Sequence, residues 1–282
     1  MKKLADGIYE MTMAEYIAHP AISRSAMVDA LITPAHAVRG MTFPKDTTDA
    51  MRVGTATHMA FLEPTQLLHT FNLFTGKVRR GEKWELHKAA AENAGKDPYL
   101  TQSQYDLALS MGEALRLNKT TSALFSRTPN KREIVIIFSL CGMEVKVRLD
   151  TLITDDCPTI PDIKTAKAID DHSFASSVYA YGYDIQSWIY REATRAKLKK
   201  YRVNNFVIAA VEKERNIVID GKLTHAVRVF DMRDWMKGGE QRALEALSII
   251  ADCRKNETWP SYPDKTVRFT PPNWYIKRHG GI

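Results

Sequence analysis

The sequence predicts an α/β protein, and three observations carry that expectation. Residues 133–140, 144–153, 159–165, 205–213 and 226–232 are short apolar or alternating runs with the length and β-branched content of strands. Helical patterns separate and flank them, over 51–64, 102–117, 170–200 and 234–256. A turn rich in Asp, Cys and Pro joins the second run to the third. At 282 residues and 44% hydrophobic composition, the chain has material for one large core with appendages. A charged fraction of 26% argues against global disorder. We read a single domain in three parts: a mainly helical stretch, 1–130, a sheet core, 131–232, and a C-terminal helix and tail, 233–282.

Taken in order, residues 16–40 read as a loop followed by a short helix that Ser23 or Ser25 caps and that ends near Pro34. A helix start bearing Ser23-Arg24-Ser25 offers hydroxyls, free backbone N–H groups and a guanidinium to an anion. Local sequence alone equally supports an ordinary cap with an exposed arginine. Over 51–64, Gly54, Thr55, Ala56 and Thr57 allow close helix packing, and Pro64 stops the helix. His58 has Leu62 one turn on, the placing of a core histidine satisfied by a hydrogen bond; an imidazole there is also a competent metal ligand. The stretch 76–118 is charged, with Lys77, Arg79, Arg80, Lys83 and Lys88 around Trp84. It reads as a solvated face or as a wall touching phosphates. Gln102 to Leu117 forms an amphipathic scaffold helix through Tyr105, Leu109, Gly112 and Leu115.

The chemistry concentrates in the middle. Run 133–140 is apolar enough for a buried strand, and Cys141-Gly142 turns it into the run that carries Asp150. In the next run, alternation puts Asp162 and Lys164 on one face and Ile163 on the other, towards the core. Pairing the two runs would bring two carboxylates and an ammonium to a sheet edge. Carboxylates hold a hard divalent cation such as Mg2+, and a lysine orients or polarises a water beside it. That is an arrangement for cleaving phosphodiesters. Asp170, Asp171 or Ser173 then caps a helix interrupted near Gly182, whose second half places Gln186 and Tyr190 on one face. A turn near Asp220-Gly221 separates the last two strands, and the helix over 234–256 has an apolar stripe at Leu244, Leu247 and Ile250. The tail is Pro-rich and basic, with Trp259, Trp274 and Tyr275, and is placed to cover the core, meet another subunit or touch DNA.

Asp150 followed by Pro161-Asp162-Ile163-Lys164 resembles the PD-(D/E)xK nuclease signature, with Asp in its middle acidic position. Gly54, His58 and the Leu62-Glu63-Pro64 stop resemble the first motif of RecB-type nucleases, and Gln186 with Tyr190 resembles their third. The order of these motifs is similar to that of the RecE-type exonucleases and their phage-borne relatives. The resemblance implies a three-layer α/β/α, restriction-endonuclease-like core with a mixed central sheet and extra N-terminal helices. It implies Mg2+-dependent digestion of linear double-stranded DNA from 5′ to 3′, with Mn2+ able to substitute, leaving a 3′ strand for a RecT-type annealing protein. It further implies a homo-oligomeric ring, a trimer or tetramer, in a bacterial host. By the same resemblance His58, Asp150, Asp162 and the Ile163 carbonyl hold one or two ions. Lys164 acts on the water and the developing phosphorane charge, and Gln186 and Tyr190 lie beside the site. The resemblance also sets the Ser23-Arg24-Ser25 helix start near a DNA 5′-phosphate; Arg79 and Arg80 are read from the basic stretch as further phosphate contacts, and Arg127, Lys131 and Arg132 are held in reserve. Glu63 is expected to be structural. The competing readings are an endonuclease, a nuclease module working with a helicase, and a silent ring-forming DNA-binding subunit.

Composition agrees with a polyanionic partner: 40 Lys and Arg against 33 Asp and Glu give a formal charge of +7. Cys141, Cys157 and Cys253 have no paired spacing, which argues against a disulfide framework, a zinc site or an iron–sulfur cluster and suits a reducing cytoplasm. No apolar run approaches the ~20 residues of a membrane span. The N-terminus has no signal-peptide core.

Overall fold

The structure is a computed structural model that describes every residue except 1, 6, 44, 45, 77, 129, 272–275 and 277–282, with the backbone alone for 2–5 and 200. Lys77 of the basic stretch and Trp274 and Tyr275 of the tail therefore lie outside the described residues.

Seven strands form one sheet whose spatial order follows the chain: β1 (Lys2–Ala5), β2 (Ile8–Glu10), β3 (Asn130–Leu140), β4 (Met143–Ile153), β5 (Thr159–Ala166), β6 (Asn205–Ile219) and β7 (Lys222–Asp231). Neighbours are antiparallel except β5 and β6, which run parallel, so the sheet is mixed. The five expected runs are β3 to β7. The β1–β2 hairpin was not expected, because strands of four and three residues are too short to show a period. β6 and β7 outrun the predicted strands to a two-residue turn at Asp220 (φ 50°) and Gly221 (φ 74°), both in the left-handed region that suits tight hairpins.

The helices are α1 (Met13–Ala18), α2 (Arg24–Ile32), α3 (Pro34–Thr42), α4 (Asp49–Leu62), α5 (Leu67–Thr70), α6 (Glu82–Asn93), α7 (Gln102–Leu117), α8 (Lys119–Phe125), α9 (Asp171–Tyr181), α10 (Tyr183–Lys197) and α11 (Met236–Asn256). Ser23 caps α2 by accepting from the Ala26 N–H at 3.3 Å. The single helix expected before residue 40 is two. α2 ends just before Pro34 as expected, and Pro34 also opens α3, since its fixed φ and missing N–H cost nothing at a first helical position. Asp170 caps α9, and Gly182 separates α9 from α10 as expected.

Two apolar layers sandwich the sheet. On one face α2, α3, α9, α10 and α11 pack on Ile136, Val147, Ile160, Phe206 and Ile208. On the other, Val53 of α4 and Met111 and Leu115 of α7 meet Ile163, Ala209 and Val211. The strand period explains the division, because Ile160 and Ile163, or Ile208 and Ala209, point to opposite sides. The core is thus α/β/α, as the resemblance implied. Each fully buried Leu, Ile or Met contributes about 1.5–3 kcal/mol. Of the tail, Trp259 packs against the first layer and the Ala35 N–H donates to Pro260 O at 3.1 Å, while Tyr262, Val267 and Phe269 are exposed. Among the described residues no helix is long and apolar enough to cross a membrane.

Candidate active site

The site forms where β4 and β5 part. They share one pair, Ile153 with Thr159, whereas β5 pairs with β6 along its whole length. Asp150 lies three residues before Ile153 and Asp162 three after Thr159, so the carboxylates occupy matching places on strands that diverge. The sequence expects the strand carrying Asp150 to pair with β5. In the structure β4 runs to Ile153 as expected, but β5 gives its backbone to β6 instead. β3 is irregular at the same level. Arg132 pairs with Thr151 and Ile134 with Leu149, while Glu133, between them, has φ 54°, an uncommon value for a residue with a side chain. The Glu133 carboxylate pairs with the Arg148 guanidinium.

His58 reaches this gap from α4. Its Nδ1 is 3.2 Å from Asp150 Oδ2 and its Nε2 is 2.8 Å from the Ile163 carbonyl oxygen. An ionised carboxylate and a carbonyl only accept hydrogen bonds, so satisfying both favours the imidazolium. Burial opposes that charge, but the Asp150 carboxylate outweighs it and the His58 pKa is raised. Burial likewise pushes Asp150 up, and the His58 charge overcomes this to leave its pKa below the usual carboxylate value. His58 is thus hydrogen-bonded to the Ile163 carbonyl, as a satisfied core histidine would be, and faces the Asp150 carboxylate.

Asp162 is 3% exposed. Its Oδ1 accepts from Gln186 Nε2 at 2.7 Å, and its Oδ2 lies 2.6 Å from Lys164 Nζ without hydrogen-bond alignment. Burial raises the Asp162 pKa; Lys164 opposes the rise and Asp150 adds to it. Gln186 arrives because Gly182, at φ 64°, turns the chain from α9 into α10, and a Cβ there would stand 2.4 Å from Val28 Cγ2. Tyr190, one turn beyond Gln186, sets its ring edge-on to Phe206 at 5.8 Å, and burial holds its hydroxyl pKa well above the ordinary value.

The Ser23-Arg24-Ser25 segment comes alongside. The Arg24 guanidinium donates to Tyr181 O and lies 5.9 Å from the centre of the Tyr183 ring, and Lys164 Nζ lies 5.1 Å from the same ring. Tyr183 therefore links this helix start to the central lysine. Sequence reasoning missed it, since an aromatic after a helix-breaking glycine reads as packing. Ser25 is exposed.

Two expected phosphate binders are otherwise engaged. Arg79 holds Asp49 at 2.8 Å and Gln104 Oε1 at 3.1 Å and also donates to Tyr99 O, which makes it an internal strut between the start of α4 and α7. It leaves the phosphate set. Arg127 chelates Asp155 at 2.7 and 2.8 Å and so closes the turn between β4 and β5. Arg80 and Lys131 are exposed, with no described contact to the site residues. Arg132 and Glu63, with Glu133, His58 and Asp150, line a cavity of about 30 Å3 beside the site, room for about one water. Glu133 carried no signal, because a charged residue opening an apolar run looks like a surface position.

Among the described residues, no three His, Cys, Asp or Glu side chains converge as a ready-made metal cage. The donor set still fits a hard divalent cation once the Ile163 carbonyl is counted. Asp150 Oδ2 and Asp162 Oδ2 are buried without a hydrogen-bond partner, as is Gln186 Oε1 behind them. His58 faces Asp150 with Nδ1 and the Ile163 carbonyl with Nε2, and it would have to give up a proton to serve as a ligand.

The whole fold is similar to the crystal structure of a "Putative exonuclease" from Eubacterium rectale, with a TM-score of 0.62 at 15% identity over 97% of this chain and 100% of that one. At that identity the likeness establishes the fold alone. A Vibrio cholerae protein, VC1899, aligns over 81% of this chain and 56% of its own at 9% identity, with a TM-score of 0.23 that carries no argument. No curated protein matches the sequence. The profile of a family described as a "PDDEXK-like domain of unknown function" matches residues 23–268, which contain all the site residues named in this section, and the chain belongs to that family, DUF3799.

Proposed function

We propose that this protein is a divalent-metal-dependent exodeoxyribonuclease acting on linear double-stranded DNA. The observation that carries the reading is the pair of carboxylates on parting strands, each with a buried oxygen that has no hydrogen-bond partner, beside Lys164. His58, Asp150, Asp162 and the Ile163 carbonyl would hold Mg2+, or Mn2+ in its place, as one or two ions. Such an ion, when bound, supplies Lewis-acid stabilisation of phosphoryl oxygens and lowers the pKa of a bound water. The residues do the rest. Gln186 fixes the Asp162 carboxylate by its hydrogen bond. Lys164, held between Asp162 and the Tyr183 ring, places an ammonium where it orients the attacking water and offsets charge growing on the phosphate. Burial of Asp162 and Tyr190 keeps bulk water out and strengthens these interactions.

The exonuclease half of the proposal draws on the Eubacterium rectale protein, described as an exonuclease, and on Arg24, whose place beside Tyr183 suits a terminal 5′-phosphate. The 5′-to-3′ direction, the 3′ strand passed to a RecT-type annealing protein, the trimeric or tetrameric ring and the cytoplasmic location of a phage-borne enzyme rest on the motif resemblance. The test is digestion of linear and of covalently closed circular duplex with Mg2+ and with EDTA, by the wild type and by Asp162→Ala. Loss of linear duplex alone, with Mg2+ and the wild type only, is the expected result. Equal attack on circles makes it an endonuclease, and wild-type turnover by Asp162→Ala removes the site assignment.

A further inference from the structure

Beyond the catalytic gap, Arg195, Lys199, Arg202 and Asn204 line a cavity of about 380 Å3 at the far end of α10 from Gln186. All four are exposed. The described counter-charge is Glu192, whose Oε1 accepts from Arg195 Nη1 at 3.1 Å and from Arg191 Nε at 3.0 Å. Arg195 Nη2 also donates to Asn204 Oδ1, which aims that guanidinium. Among the described residues, no ion pair involves Lys199 or Arg202. Cations in the last turn of a helix complement its dipole, and that accounts for Arg195 and Lys197. It does not account for Lys199 and Arg202, which lie beyond the helix and line the same cavity. Arg202 does so from φ 36°, a left-handed backbone that residues with side chains seldom adopt.

We infer that this cleft is a second phosphate-binding site, which holds the DNA backbone away from the scissile bond. The inference rests on the nuclease reading and adds a place and a length to it. From Gln186 to Arg195 is nine residues (195 − 186), or about 13–14 Å along α10 at ~1.5 Å per residue. Duplex DNA rises ~3.4 Å per base pair, so a duplex lying along α10 would extend about four base pairs from the cleavage position to the cleft. Because both points belong to one helix, a strand gripped at the cleft is registered against Asp162 without a moving part. Guanidinium and ammonium groups suit this work, since they bind phosphate whatever the sequence.

The test is duplex binding by the full chain in EDTA, read by fluorescence anisotropy across a NaCl series, with Lys199→Gln/Arg202→Gly against the wild type. Glycine accepts the Arg202 backbone, so the double variant should keep its melting temperature and its response to Mg2+. On a 30-base-pair duplex it should bind several-fold more weakly, and the slope of log K against log salt should shrink by about 1–2, at roughly 0.9 for each phosphate no longer neutralised. With Mg2+, KM for duplex should rise while kcat at saturation stays unchanged. An unchanged slope and affinity in the folded double variant, or in Arg202→Glu as a stronger perturbation, would overturn the inference. The inference also falls if a 5′-mononucleotide loses its binding in the double variant while duplex binding is untouched, because the cleft then serves free nucleotide. Wild-type cleavage matched by the variant sinks this inference alone; a wild type that binds no duplex at any salt sinks the nuclease reading with it.

Discussion

Gln186→Met isolates the support of the proposed metal site. The substitution nearly preserves volume on a buried face of α10 and removes the hydrogen bond that the Asp162 carboxylate accepts from Nε2 at Oδ1, 2.7 Å long. A hydrogen bond to a charged group contributes about 1.5–3 kcal/mol, and removing the donor leaves Oδ1 without a hydrogen bond. The same change deletes Gln186 Oε1, buried and without a partner, and so recovers a desolvation cost of about 1–3 kcal/mol. The two nearly cancel in the stability of the metal-free protein, which should shift by less than about 1 kcal/mol. They do not cancel in metal binding, because only the first acts on the ionised carboxylate. At ~1.4 kcal/mol per decade the loss corresponds to about 10–100-fold weaker Mg2+ affinity, the range seen when the partner of a metal-ligating group is removed. The assay is the melting temperature as a function of Mg2+ concentration, alongside cleavage of linear duplex at saturating and subsaturating metal. An early melt without metal would show Gln186 to be merely structural. An unchanged Mg2+ titration would refute its action through Asp162.

Three further outcomes follow from the same geometry. His58→Ala should weaken metal dependence at least about 10-fold with a modest stability loss, since removing an outer contact alone costs that much; early melting with a normal metal titration would make His58 only a packing residue. Arg24→Gln/Ser25→Ala, which spares the Ser23 cap, should slow digestion of 5′-phosphorylated ends and leave 5′-hydroxyl ends nearly unaffected at one salt concentration; equal slowing of both would reduce the segment to a capped helix. Lys146, 5% exposed, donates to Tyr16 O and His19 O at 2.6 Å, and burial lowers its pKa to about 8. Between about pH 8 and the unfolded value of ~10.4 the unfolded chain binds more protons, so stability rises with pH there by at most about 3 kcal/mol. Lys146→Met should flatten that rise in urea unfolding at pH 7.5 and 10, and an identical slope in both proteins would show that Lys146 does not titrate there.

The sequence by itself determined what depends on neighbours along the chain. Strand alternation put Asp162 and Lys164 on one side and Ile163 in the opposite core, where Val53 and Leu115 enclose it. The helix signals at Ser23, Asp170 and Gly182 read correctly because a cap involves residues three or four apart. The helix end near Pro34 was read correctly, but the helix that Pro34 itself opens was missed for the same local reason, as proline both stops one helix and starts the next. Only the tertiary structure decided which strand β5 would pair with, and therefore that β4 and β5 part at Asp150 and Asp162. Only it placed His58 between Asp150 and the Ile163 carbonyl, 105 residues away, through the packing of α4 on the sheet. It likewise withdrew Arg79, which Asp49 and Gln104 claim, and brought Tyr183 between Arg24 and Lys164. Charge and hydrogen bonding are properties of side chains, and residue type announces them. Which group receives them is settled by distance in three dimensions, and a one-residue change of strand register or a different helix face would have given each another partner.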